Sequence, residues 1–187
     1  MNVFFTSDPH FGHANVIKYC DRPFSSADEM DEALIERWNS VVRDADFVWV
    51  LGDVFFHQVS KCNEILSRLR GRKGLVLGNH DKIIRNQRPL QEKFSEVHPG
   101  LHRTHVAGTM VVMCHYPMLS WEGSHYGSFS LHGHCHGKIP FDPNYRRLDV
   151  GVDCHDFRPL AWEEVRARLE KVESQEERAH KARVAGS

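Results

Sequence analysis

Short apolar runs and longer four-residue rhythms alternate along the first half of this chain. Val3–Ser7 is a compact apolar run stopped by Asp8-Pro9, which reads as a buried strand. Behind Ser26-x-x-Glu29, which has the form of a capping box, Met30, Leu34 and Trp38 recur every four residues. That spacing predicts a helix from about Ala27 to Val42. Phe47–Leu51 predicts a short strand running into Gly52-Asp53, and Ser60–Leu69 a second helix ended by Gly71. A strand over Gly74–Leu77 opens onto Gly78-Asn79-His80-Asp81. Lys82 to Phe94 reads as partly helical, with a break at Pro89.

The second half is richer in strands. Thr109–Cys114 predicts one that ends at His115, Ser128–Leu131 another that ends before His132, and Arg147–Val152 a late one. Trp162 to about Lys181 reads as a charged helix whose Val165, Leu169 and Val172 make one narrow apolar stripe. Such a helix suits a surface cover better than a dimer contact. Strands alternating with helices, then crowding together, indicate an α/β layered fold with antiparallel pairing late in the chain. The 187 residues suit one domain, read as a core over 1–160 with the helix of 161–187 packed on or beside it.

Composition narrows the classes. Lys and Arg number 24 against 25 Asp and Glu, a formal net charge of −1, so the basic face of a duplex-DNA binder is not expected, although a local positive groove is compatible with these counts. Met1-Asn2 leads straight into Val3-Phe4-Phe5 with no signal-peptide pattern, and no apolar run approaches the roughly 20 residues of a membrane span. The five cysteines are odd in number and form no C-x-x-C pair, which fits reduced thiols. A cytoplasmic protein without a membrane partner is expected. The unusual figure is 14 histidines, many clustered with Asp, Asn and Gly.

Five polar clusters each follow a predicted strand: Asp8-Pro9-His10, Gly52-Asp53, Gly78-Asn79-His80-Asp81, His115, and Gly133-His134-Cys135-His136. In layered α/β folds, ligand sites gather at the carboxyl ends of strands, so the clusters are expected at one sheet edge. Asp8 and His10 are two apart, as are His134 and His136; in extended backbone each pair would point the same way. Two carboxylates, one amide and four imidazoles suit divalent ions such as manganese, iron or zinc. Two such ions side by side need a shared anion, and Asp53, alone on its strand end, is suited to that bridge. Alone, Asp8-x-His10 is a common triplet and Gly52-Asp53 and Gly78-Asn79-His80-Asp81 read as turns or loops, whereas the Gly-flanked histidine pair has little packing purpose; turns do not explain the clusters in this order, each after an apolar strand.

The same motifs (D-x-H, G-D, G-N-H-D, a His followed by Tyr116-Pro117, and G-H-x-H) resemble those of the calcineurin-like metallophosphoesterase superfamily, from Asp8 to His136. Phe11-Gly12-His13-x-Asn15 with Cys20-Asp21-Arg22-Pro23-Phe24 is similar to a small bacterial and phage branch known only as phosphoesterases. The resemblance implies a metallophosphoesterase domain over 1–160, a four-layer αββα sandwich with a dinuclear metal site at the strand carboxyl ends. Asp8, His10, Asp53 and His136 would hold one ion, and Asp53, Asn79, His115 and His134 the other. Manganese is expected first, with iron, zinc, nickel and cobalt as alternatives. His80 is similar to the imidazole that faces the substrate, beside Asn79, and Asp81 to its orienting partner.

The implied chemistry is in-line attack by a hydroxide between the ions on a phosphodiester or phosphomonoester, nucleotide-like or a nucleic-acid end, with His80 assisting the leaving oxygen. His13 and Arg22 are placed early enough to touch the phosphate. His57 and His132 read as structural, and His98, His102, His105, His125, His155 and His180 carry no assigned role. Rival readings are a histidine-triad nucleotide hydrolase over His132-x-His134-x-His136, a metallo-β-lactamase-like hydrolase, and a silent scaffold for a protein partner. The first expects apolar residues where Gly133, Cys135, Gly137 and Lys138 stand. The second expects Asp-His where Gly137-Lys138 stands. The third sits poorly with a complete ligand set.

Overall fold

The computed structural model describes residues 1–173, 178–179 and 182–183. Its strands form two mixed sheets. The first runs β4-β3-β2-β1-β9, with β1 (Val3–Thr6), β2 (Phe47–Val50), β3 (Arg72–Val76) and β4 (Glu96–His98) parallel and the two-residue β9 (Leu160–Ala161) antiparallel at the edge. The second runs β5-β6-β7-β8. There β5 (Leu101–Val106) pairs antiparallel with β6 (Thr109–Cys114), while β7 (Phe129–His132) and β8 (Arg147–Asp149) continue parallel to β6.

Alternation along the central strands explains how the sheets meet. Phe4, Val48, Val50 and Leu75 point to one side and share a core with Leu34, Ile35 and Trp38 of α2 (Ala27–Val41) and Cys62 and Ile65 of α3 (Val59–Arg68). Phe5, Trp49, Leu51 and Val76 point to the other side, into a second core with Val111, Met113, Phe129 and Leu131 of the facing sheet. Strands buried on both faces read as continuous apolar runs, which is why β1 and β2 are conspicuous in the sequence. Helix α6 (Trp162–Leu169) adds Trp162, Val165 and Leu169 to the inter-sheet core.

Several expected elements differ in extent. The Ser26 hydroxyl accepts from the Glu29 amide at 3.2 Å, but the Glu29 carboxylate takes the Ser25 amide at 2.7 Å, so the cap is shared over two serines. Pro89 does not simply break a helix; it lies in the first turn of α5 (Arg88–Gln91), where its missing N–H is harmless, after α4 (Lys82–Asn86). His132 belongs to β7, and β8 ends at Asp149 rather than Val152. The expected C-terminal helix stops at Leu169, and its stretch over 174–177 and 180–181 lies outside the described residues. The short α1 (Ala14–Tyr19), β4, β5 and β9 are not apparent in the apolar pattern. No helix among the described residues is long and apolar enough to cross a membrane.

The fold thus brings the carboxyl ends of β1, β2 and β3 to the same border as those of β6 and β7. A bridge between Ser7 and Gly151 and the Ser7 hydroxyl on the Leu51 carbonyl at 2.7 Å tie that border together.

A tight point of the inter-sheet core is Gly74, where a Cβ would stand 2.6 Å from the Trp49 ring. Gly74→Ala is therefore expected to lower unfolding free energy by about 1–3 kcal/mol, the usual scale for overpacking. Urea denaturation of the two proteins checks this, and equal midpoints would contradict the packing described.

Candidate metal centre

Beyond β1 the chain does not stay extended. Asp8 and His10 have φ of 56° and 54°, Asp53 56°, His134 67° and His136 48°. Among the described residues, five of the nine non-glycine positions with positive φ are thus candidate ligands. Left-handed backbone at such residues costs about 1–3 kcal/mol each and persists only where the surroundings enforce it. The side chains two apart converge because of these tight bends, and the expectation of extended alternation is corrected. Interstrand hydrogen bonds hold the bends: Asp8 N–H donates to Gly52 O at 3.0 Å, His10 N–H to Asp53 O at 3.1 Å and Phe11 N–H to Val54 O at 2.9 Å.

Each carboxylate is divided between protein and site. Asp8 Oδ2 accepts from His134 N–H at 2.8 Å across the two sheets, while Oδ1 is buried without a partner. Asp53 Oδ1 accepts from His80 N–H at 2.8 Å, while Oδ2 lies 3.8 Å from His10 Nε2 and 3.4 Å from His115 Nε2. The imidazoles are divided likewise. His115 Nδ1–H donates to Leu51 O at 2.7 Å, leaving Nε2 3.0 Å from Asn79 Oδ1. His136 Nδ1–H donates to Asp153 at 2.7 Å, with Nε2 4.0 Å from Asp8 Oδ1. His10 pairs through Nδ1 with His13 Nδ1 at 3.3 Å, and its Nε2, 3.7 Å from Asp8 Oδ1, is a second buried atom with no partner.

Two groups of donors result, Asp8–His10–His136 and Asp53–His115–His134, the atoms of each within 4.8 Å of one another. Separations of 3.4–4.0 Å are too long for hydrogen bonds, but suit atoms that share an ion about 2.1 Å from each. The orphaned Asp8 Oδ1 and His10 Nε2 fit that reading, since buried polar atoms otherwise find partners. These residues can hold metal ions. A third group, Cys20–His136–Asp153, is not independent, because it shares His136 and both Asp153 oxygens already serve Arg22. Burial also raises the pKa of the Cys20 thiol.

Electrostatics favour a cation here. Burial opposes charging of His115, yet the nearby carboxylates of Asp53 and Asp8 prevail and raise its pKa to about 9. The same contest, won by Asp153 and Asp8, raises His136. Burial pushes Asp53 up, but His115, the His80 amide and His10 bring it below its ordinary value.

Two assigned roles change, and His132 is structural as expected. The buried Arg22 does not face a substrate: it forks onto Asp153 at 2.7 and 2.8 Å and donates to the carbonyls of Pro9 and Asp8, both at 2.8 Å. It shapes the Asp8–His10 bend instead. Asp81 does not orient His80. Its oxygens accept from the amides of Asp53 at 2.9 Å, Val54 at 2.8 Å and Gly78 at 2.7 Å, pinning two strand ends together. His132 is buried in β7 with Nδ1 on Gly133 O, outside both donor groups, so the three alternate histidines do not form one triad. His13 is half-buried against Phe56, ring centroids 3.9 Å apart, and burial with neighbouring His10 lowers its pKa to about 4. His80 is exposed, its ring 6.0 Å from His10 and 5.2 Å from Phe56.

Sequence reasoning overlooked Asp153, which orients His136 and clamps Arg22. It also overlooked Asp31, which accepts from Gly12 N–H at 2.8 Å and bonds His57 at 2.5 Å, fixing the loop after His10. Asp31 left a signal: a carboxylate adjoining Met30 on the apolar stripe of α2.

No protein-family model matches this chain. It is similar to an uncharacterized protein of Methanocaldococcus jannaschii, 34% identical over 176 residues that span 90% of this chain and 92% of that one. It is also similar to the gene 66 protein of Mycobacterium phage D29, 33% identical and covering 92% and 98% of the two chains. The crystal structure of a protein of unknown function from Aquifex aeolicus superposes with a TM-score of 0.70 at 24% identity, over 89% of this chain and 98% of that one, a likeness of fold.

Because His115 carries a proton up to about pH 9, an ion entering its group must displace it. Divalent-metal affinity is expected to rise roughly tenfold per pH unit from about 7 to 9 and then level off. Chelator-competition titration measures this, and an affinity flat across that window would contradict the assignment of His115.

Proposed function

The chain belongs to one family with these archaeal and phage proteins, and from that premise and the geometry of the metal centre we propose that it is a metal-dependent phosphoesterase of the calcineurin-like type. The observation that carries the proposal is Asp53 Oδ2, standing 3.8 Å from a donor of one group and 3.4 Å from a donor of the other. One carboxylate oxygen between two sets of imidazoles is what a pair of divalent ions needs to sit side by side. Asp8, His10, Asp53 and His136 would hold the first ion, and Asp53, Asn79, His115 and His134 the second, with manganese the first choice in the cell. Bound ions would supply Lewis-acid activation of water and neutralise the charge on phosphate oxygens.

The protein's own groups account for the rest. His80 projects into solvent beside His10, with its backbone held by Asp53, and is placed to give a proton to the departing oxygen. Tyr116 donates its hydroxyl to Asn79 Oδ1 at 3.2 Å and stacks edge-on to His134, steadying both. Arg22, Asp153 and Asp81 keep the strand ends in register and take no part in proton transfer. The aromatic rings of Phe56 and Tyr116, 38% and 47% exposed, flank the two donor groups and suit a nucleotide-like ester, whether diester, monoester or nucleic-acid end. The four-layer αββα arrangement belongs to the same proposal. Helices α2 and α3 form its first layer, while α6 packs at the edge of the inter-sheet core against β1, β8 and β9. Five free cysteines accord with a cytoplasmic setting.

Hydrolysis of p-nitrophenyl phosphate and its bis ester under manganese tests the proposal. Turnover of at least one ester is expected, lost on chelation and restored by manganese. His80→Ala is expected to keep its metal while turnover falls about 10²–10⁴-fold. Asp53→Asn is expected to lose at least one ion by elemental analysis. Activity that survives exhaustive chelation, or no turnover of any phosphate ester by fully loaded protein, would contradict the proposal; the second result would favour a scaffold.

A further inference from the structure

A second meeting of metal-ligating side chains lies at the lateral edge of the sandwich, apart from the centre described above. There β4, the outermost strand of the first sheet, turns through Pro99-Gly100 into β5, the outermost strand of the second. Glu96 and His98 are two apart on β4 and face the same side, where Glu96 Oε2 and His98 Nε2 are 2.8 Å apart. His102, on β5, stacks on His98 with ring centroids 3.7 Å apart and planes 20° from parallel. Trp49 stands behind the pair, 4.8 Å from His102 and 5.9 Å from His98. Donor atoms of the three residues lie within 4.8 Å of one another, and the His102 nitrogens have no hydrogen-bond partner among the described residues.

We propose that Glu96, His98 and His102 form a third metal site, of a kind that takes zinc, with water in the remaining coordination position. Two imidazoles and one carboxylate are a donor set that zinc accepts readily in four-coordinate geometry. The ion takes the place of the proton that His98 Nε2 shares with Glu96; that proton moves to His98 Nδ1, so the ring stays neutral, the electron pairs stay on the donors and nothing is oxidised. Nearly parallel rings aim their in-plane lone pairs alongside one another, so one ring must turn for both to reach the same ion, on a backbone that is held beforehand. The His98 carbonyl accepts Leu77 N–H at 2.8 Å, His102 is registered against Met113 of β6, and the Trp49 ring backs the stack. The Glu96 and His98 side chains are 42% and 26% exposed, so ion and water can enter. A bound zinc would clip the outermost strands of the two sheets together.

These residues are distinct from both donor groups of the main centre, so the inference stands or falls apart from the proposed activity. Zinc bound per chain, measured on the full-length protein against a chromophoric chelator, tests it. The parent is expected to hold one more zinc than His98→Gln/His102→Gln, and Asp53→Asn is expected to keep that extra zinc. Equal zinc content in the parent and the folded double variant would overturn the site and leave the ring stack as a seal over Trp49. Should the double variant fail to fold, Glu96→Gln preserves the stack. It is expected to weaken the extra site by about tenfold or more, as loss of an anionic ligand should; unchanged affinity would likewise overturn the proposal.

Discussion

The centre depends on one constraint: every converging side chain but Asn79 and His134 has one polar atom bound elsewhere in the protein and another directed into the site. Asp8 gives one oxygen to an amide of the opposite sheet, and Asp53 gives one to the amide of His80. His10, His115 and His136 each engage Nδ1 with a ring, a carbonyl or a carboxylate. What remains is a set of carboxylate oxygens and Nε2 atoms, directed inward and fixed in rotamer and tautomer. Preorganisation of this kind separates ligands from an ordinary polar cluster.

Such a centre is expensive in backbone terms, and the fold shows how that is sustained. Five candidate ligands occupy left-handed conformations, and Asp81 and Arg22 lie buried beneath them, holding backbone amides on one side and carbonyls on the other. The two sheets contribute rigidity, since their apolar faces lock strand ends whose loops would otherwise relax. Close approach is equally demanding: a Cβ at Gly133 would stand 2.2 Å from Asp8 Oδ2, and one at Gly78 would stand 2.2 Å from Asp53 Oδ1. Glycines precede the ligands because a carboxylate occupies the space a side chain would need.

Much of this is legible in the sequence. Strands buried on both faces, such as β1 and β2, announce themselves as unbroken apolar runs, and Met30, Leu34 and Trp38 mark α2. The clusters after the strands point to one edge because parallel strands end on the same side. Strand β5 was illegible for a physical reason: as an edge strand, Leu101–Val106 is polar and exposed along most of its length. The roles of Arg22 and Asp81 were misread because chemical type does not reveal burial, and only the fold shows that their polar atoms are consumed within it. Asp153 and Asp31 were missed because both act across long sequence separations, on His136 and on the loop at Gly12.

The central claim is that two ions share Asp53. Anomalous diffraction from manganese-soaked crystals tests it most directly. The account predicts two peaks about 3.5–4 Å apart, with an Asp53 oxygen between them and Asp8, His10 and His136 on one side, Asn79, His115 and His134 on the other. A single peak, or two peaks with Asp53 touching neither, would contradict it.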